Sequence, residues 1–186
     1  AALWRHTQGA GETGDQEGIP GEAGETGVWR GGASMFMRAC RDKKRKVFVC
    51  DSFEGLPFDP REPAYVKMDY LKVSLPDVRK NFEMYGQTEN VEFIKGWFED
   101  TLDKLPSSQF SIIRLDGDMY SSTMVALNAL YPKLSLGGFC IIDDYILPEC
   151  AKAVTEFRAT HRIEEVIVDI DKQGVYWRKT KAVTVK

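Results

Sequence analysis

The sequence predicts an α/β domain. Its sheet has about seven strands, mostly parallel, with helices on both faces and an antiparallel hairpin strand at the C-terminal end. Three observations carry this. Short apolar runs at 47–50, 91–95, 110–115 and 139–142 alternate with segments whose apolar residues recur at helical spacing. Two of those runs deliver acidic pairs, Asp116 and Asp118 after the first and Asp143 and Asp144 after the second. The last two runs, 164–170 and 175–178, flank a turn at Gly174 with no helix between them.

Residues 1–21 are rich in glycine and small polar residues and predict a flexible tail; a single domain is expected over 22–186. A strand end and glycine turn at 25–32 lead into a helix over 33–41, with Met35, Phe36 and Ala39 on its apolar face. The basic run 41–46 reads as a solvated turn. The strand 47–50 ends at Asp51, and an irregular stretch follows to about residue 70. Ser74 caps a helix that carries Pro76 in its first turn and stops at Gly86. A strand at 91–95 leads to a short helix or turn over 97–105. After the strand 110–115 a helix is expected from 121 to 134, with Gly137 and Gly138 resetting the chain into a strand at 139–142. Pro148 opens a last helix, to about His161.

Length and composition fit one globular domain, with 43% hydrophobic and 28% charged residues. A net charge of -3 and a pI near 5.5 give no reason to expect nucleic acid or an anionic membrane as partner. No apolar run approaches the ~20 residues of a membrane span. Cys40, Cys50, Cys140 and Cys150 form no C-x-x-C pair, so free thiols in a reducing, cytoplasmic compartment are expected. His6 and His161 lie in the tail and at a helix end, where they suit neither a general base nor a metal site.

The acidic pairs point to chemistry. If their strands are neighbours, Asp116, Asp118, Asp143 and Asp144 converge at one sheet edge. Single aspartates at strand ends are usually caps. Four together are costly to keep ionised without a cation, and oxygen-only ligands favour a hard one, with Mg²⁺ ahead of Ca²⁺ or Mn²⁺. The glycine turn matches neither G-x-G-x-x-G nor a phosphate loop, which disfavours dinucleotides and nucleoside triphosphates. Asp51 ends the second strand, where an acid either caps a turn or accepts from both ribose hydroxyls. A glycine turn with a ribose-binding acid and no pyrophosphate motif fits S-adenosylmethionine. Trp97 and Phe98 stand where an aromatic either packs on adenine or joins the core. Met119, Tyr120 and Tyr145 leave the same choice between an acceptor pocket and packing. Asp-x-Asp after a strand also occurs in metal-dependent glycosyltransferases, which would bind a nucleotide sugar instead.

Six motifs occur in order: Glu25-Thr26-Gly27-Val28-Trp29-Arg30-Gly31-Gly32-Ala33, Asp51 to Pro57, Lys95 to Leu102, Leu115 to Thr123, Ile142 to Tyr145, and Gly174 to Lys179. Together, over about residues 18–180, they resemble the macrocin O-methyltransferase family, which includes macrolide-sugar and novobiocin-sugar methyltransferases. The resemblance implies a Rossmann-like methyltransferase fold, S-adenosylmethionine as donor, Mg²⁺ as cofactor, and a sugar-like or vicinal-diol small molecule as acceptor. It places the metal on Asp116, Asp143 and Asp144, and the general base on Asp118. The donor is then expected along the turn 25–34, at Glu25, Thr26, Gly27, Arg30, Gly31 and Ser34, with Asp51, Ser52, Trp97 and Phe98 completing the site. The chain departs from the family at its N-terminus, reading as truncated or divergent. A Gly-rich stretch stands where members carry helices that cover the acceptor and build the oligomer. That leaves a homo-oligomer open, and it leaves open a domain that binds donor without completing the reaction. Ala23 and Gly24 also make the first strand weaker than the family's.

Overall fold

A computed structural model describes residues 13–106 and 109–183. Seven strands form one sheet in the order β3-β2-β1-β4-β5-β7-β6. These are β1 (Glu22–Thr26), β2 (Val47–Asp51), β3 (Val91–Lys95), β4 (Phe110–Leu115), β5 (Leu134–Ile142), β6 (Val168–Asp169) and β7 (Val175–Arg178). The first five pair in parallel; β7 runs antiparallel to β5, and β6 to β7. The helices are α1 (Gly32–Cys40), α2 (Leu75–Met84), α3 (Phe98–Thr101), α4 (Tyr120–Leu130) and α5 (Pro148–Thr160). The expected fold class is therefore what the chain adopts.

Alternation along the central strands feeds two cores. On β2, Val47 and Val49 face the layer holding Met37, Val78 and Phe82 of α1 and α2. Phe48 and Cys50 face the opposite layer, with Leu127, Leu130, Val154 and Phe157 of α4 and α5. Ile112 and Ile113 divide the same way on β4, whose six residues are all buried. The small residues of β1 have a packing reason. A Cβ on Gly24 would stand 3.0 Å from the Phe110 ring, which itself meets Phe48 edge-on at 5.8 Å.

Three element boundaries are corrected. The helix after the acidic motif ends at Leu130 rather than 134. Pro132 has no N–H to continue it, and Leu134 already pairs with Phe110 as the start of β5. Gly137 and Gly138 therefore lie inside β5, within a bulge where the register jumps from Leu134↔Phe110 to Phe139↔Ile112. The strand expected over 164–170 is only Val168–Asp169, both exposed at the sheet edge.

The basic run is a turn with Lys43, Lys44 and Lys46 exposed, as expected, but its two arginines are not solvated. Arg41 is buried and pairs with Asp15 at 3.1 Å, and Arg45 donates to the carbonyls of Ile19 (2.6 Å) and Gly21 (3.0 Å). These arginines dock the segment 13–21, which was expected to be loose. A helical turn at 13–16 leads to buried Ile19, and Ser135 Oγ donates to the Pro20 carbonyl at 2.6 Å. Residues 1–12 of the expected tail, His6 among them, lie outside the described residues.

Candidate functional site

The strand order reverses between β1 and β4: the chain builds outward to β2 and β3, then returns to the other side of β1. Ligand clefts of open α/β sheets form at the carboxyl ends of such a pair. Here those ends approach very closely. Gly27, just past β1, has φ 76°, and a Cβ there would lie 1.5 Å from the Asp116 carbonyl oxygen. No L side chain fits.

Beyond β4 the chain turns through Asp116, Gly117 and Asp118. Asp118 has φ 54°, a left-handed conformation costing of order 1 kcal/mol in a non-glycine residue. Its N–H donates to Asp144 Oδ2 at 3.1 Å. Asp116, Asp118 and Asp144 each present a carboxylate oxygen within 4.8 Å of the others. Asp143 stands beside this trio but turns to Arg114, accepting from Nη2 at 2.7 Å.

Arg114 is buried beneath the cluster. Its guanidinium also bonds Asp116 (2.8 Å) and Glu25. Burial opposes its charge, but Asp116, Glu25 and Asp143 more than compensate and raise its pKa. One cation does not balance so many acids. Burial first, then repulsion from Asp144 and Glu25, lifts Asp116 to about 7 despite Arg114. Burial, then Asp116 and Asp143, lifts Asp118 to about 6. Burial, then Asp118 and Asp143, lifts Asp144 to about 6, and burial also lifts Asp143 to about 6 against the pull of Arg114. A site of this kind lacks positive charge.

A cleft of ≈ 590 Å³, counting its open mouth, runs beside the cluster. Of the residues expected at a donor, Gly27, Asp51, Ser52, Trp97 and Phe98 line it, as do Asp116 and Asp118. Asp51 also organises the turns around it. Oδ2 accepts from Val28 N and Oδ1 from Phe53 N, both at 2.7 Å. Asp51 thus caps these turns and lines the cleft at once. Burial raises the Asp51 pKa, with those amides pulling the other way. Phe98 likewise lines the cleft while packing on the core.

Glu25, Thr26, Arg30, Gly31 and Ser34 were also expected at the donor, but none of them lines the cleft. Glu25 is buried with Ser34 Oγ and Arg114 as partners, and Thr26 is fully buried. Gly31, at φ 84°, is the N-cap of α1, and a Cβ there would lie 2.7 Å from the Phe82 ring. Arg30 is exposed and lies over the Trp29 ring. Met119 is fully buried and so belongs to the core, not an acceptor pocket. Tyr120 Oη donates to Glu156 at 2.6 Å, and Tyr145 packs partly against the core. The sequence reading missed Trp29, Leu56, Pro57, Leu71 and Ser122 as lining. Trp29 and Ser122 sit within motifs already singled out; Leu71 comes from the irregular stretch and carries no local signal.

A doubly wound sheet with a reversed terminal pair, a cleft at its switch point and an acidic cluster beside it is the architecture of a Rossmann-like methyltransferase. The chain belongs to the Macrocin-O-methyltransferase (TylF) family, which matches residues 4–179, and it is an S-adenosylmethionine-dependent O-methyltransferase. It is 44% identical over 180 residues to the mycinamicin III 3''-O-methyltransferase of Micromonospora griseorubida, covering 89% of this chain and 71% of that one. It is 46% identical to the 8-demethyl-8-(2,3-dimethoxy-alpha-L-rhamnosyl)-tetracenomycin-C 4'-O-methyltransferase of Streptomyces olivaceus, covering 89% and 69%. The solved structure of the O-methyltransferase NovP superposes with a TM-score of 0.91 at 39% identity, covering 97% of this chain and 80% of NovP. The glycosyltransferase reading of Asp-x-Asp is overturned by these matches. No helix among the described residues is long and apolar enough to cross a membrane.

Proposed function

We propose that this enzyme methylates a hydroxyl of a sugar-like acceptor carrying neighbouring hydroxyls, with Mg²⁺ as cofactor. The observation that carries this is the convergence of Asp116, Asp118 and Asp144 beside the cleft. One relative named above acts, by its name, on a rhamnosyl tetracenomycin, and another on mycinamicin III. The cleft fits the donor: Asp51 suits the ribose hydroxyls, Trp97 and Phe98 offer aromatic surface for adenine, and the bare backbone at Gly27 admits close approach.

The acidic cluster fits a hard divalent cation, since its donors are all carboxylates, with raised pKa values and a single arginine against them. Asp116 and Asp144 would hold it, with Asp143 adjacent at Arg114. When bound, Mg²⁺ would supply Lewis acidity toward an acceptor hydroxyl. Asp118 takes the hydroxyl proton on its carboxylate. Its carboxylate lines the cleft beside Asp116, within reach of a hydroxyl bound there. Arg114 holds Asp116 and Asp143 in place from below.

The test is calorimetry with S-adenosylhomocysteine, followed by methyl-transfer assays on vicinal-diol glycosides with Mg²⁺ or with chelator. Donor binding, and turnover abolished by chelator, are expected. Full turnover in chelator would remove the metal, and no turnover on any diol would remove the acceptor class.

A further inference from the structure

We propose that Glu62 is a positioning residue that ties the loop walling the donor cleft to the backbone carrying Asp118. The proposal rests on Asp118 acting as the base.

The connection from β2 to α2 covers residues 52–74 and contains two short 3₁₀ turns, Pro63–Lys67 and Asp69–Leu71. It meets the cleft at both ends, through Ser52, Leu56 and Pro57 first and Leu71 later. Between them it reaches the N-termini of α4 and α5. Glu62, largely buried, accepts from Tyr120 N at 2.7 Å through Oε1, and from Ser121 N and Ser121 Oγ at 3.2 Å through Oε2. Three residues on, Tyr65 Oη donates to Glu149 Oε2 at 3.4 Å in the first turn of α5.

Helix α4 needs this carboxylate because it lacks a cap of its own. Met119 occupies the N-cap and has no side-chain acceptor. The first amides of a helix must find partners, and a local Ser, Thr, Asp or Asn normally supplies one. Here the acceptor comes from 58 residues away, on the donor loop. The amides it holds begin two residues after Asp118. Asp118 is itself constrained on its own N–H by Asp144, in a left-handed conformation that surrounding contacts must maintain. Asp144 thus fixes Asp118, and Glu62 fixes the chain leaving it. Any shift of the loop on donor binding is felt at the start of α4, so donor occupancy and the placement of the base are coupled.

The experiment compares wild type, Glu62→Gln and Glu62→Ala by hydrogen exchange, with and without S-adenosylhomocysteine, alongside steady-state kinetics. In ligand-free protein, Tyr120 and Ser121 amides should exchange faster in Glu62→Ala, with Glu62→Gln between. S-adenosylhomocysteine should slow exchange at Tyr120 and Ser121 in wild type and lose that effect in Glu62→Ala, while still protecting 52–56. The variant's kcat should fall about tenfold or more, as a small misplacement of a reacting group does, with donor KM changed by less than about threefold. A cap that only stabilises the fold would lower the melting temperature and leave kcat unchanged. Either unchanged exchange at Tyr120 and Ser121, or kcat within about twofold of wild type, overturns the proposal. The ligand-free exchange reads the Glu62 tie by itself. Failure of wild type to bind S-adenosylhomocysteine would instead overturn the donor site, and the coupling with it.

Discussion

Asp118 carries the base assignment, and Asp118→Asn tests it. In the metal-loaded enzyme kcat should fall by about 10²–10⁴ with donor affinity preserved, measured by single-turnover kinetics and calorimetry. Retained turnover would shift the proton to another acceptor. The four clustered aspartates make a second prediction. Their folded pKa values of about 6 to 7 lie above the ~4 of an unfolded chain, so the folded state keeps protons the unfolded state releases. Stability of the metal-free protein should therefore fall as pH rises from about 4 to about 7. Calorimetry in chelator should give a higher melting temperature at pH 5.5 than at 7.5, and Mg²⁺ should narrow the gap. Arg114 is the counter-charge in this cluster. Arg114→Met leaves Glu25, Asp116 and Asp143 without their partner and should cost about 3–5 kcal/mol in urea unfolding.

Among the elements, β1 and β4 set the site, because their ends must nearly touch. Gly27→Ala asks a Cβ to occupy the Asp116 carbonyl and should destabilise by about 2 kcal/mol or more while weakening donor binding. Urea unfolding and S-adenosylhomocysteine titration read the two effects separately. Element boundaries show where local sequence was legible. Ser74, Pro76 and Gly86 marked α2 well, because capping chemistry is local: Ser74 Oγ accepts from Asp77 N at 3.3 Å. The end of α4 was misplaced because Leu134 falls at helical spacing, yet its burial comes from pairing with β4. No helical period distinguishes those two ways of being buried.

For the molecule as a whole, the proposed donor and metal sites exist in the folded state alone, so each ligand should raise its stability by mass action. Each at about a hundredfold over its Kd adds about 2.7 kcal/mol, visible as a higher midpoint in denaturant. Chelator should remove the metal's share without touching the donor's. The docked segment 13–21 belongs to the same whole. Asp15, Ile19 and Gly21 are held by Arg41 and Arg45, whose basic run looked like a solvated turn because its partners lie some twenty residues earlier in the chain.

By itself the sequence determined the α/β class, the parallel sheet with a reversed final pair, and the placing of an acidic motif at the end of each of two strands. Those features follow from periodicity, strand-end chemistry and long contiguous motifs, all of which are local. Only the tertiary structure decided which aspartates face one another, with Asp116, Asp118 and Asp144 converging while Asp143 turns to Arg114. It also decided that Glu25 and Ser34 are buried against each other, and that Glu62 caps a helix 58 residues away. The physical reason is that charge compensation and capping are set by distance in space, and a carboxylate carries no local mark of which cation or amide it will meet.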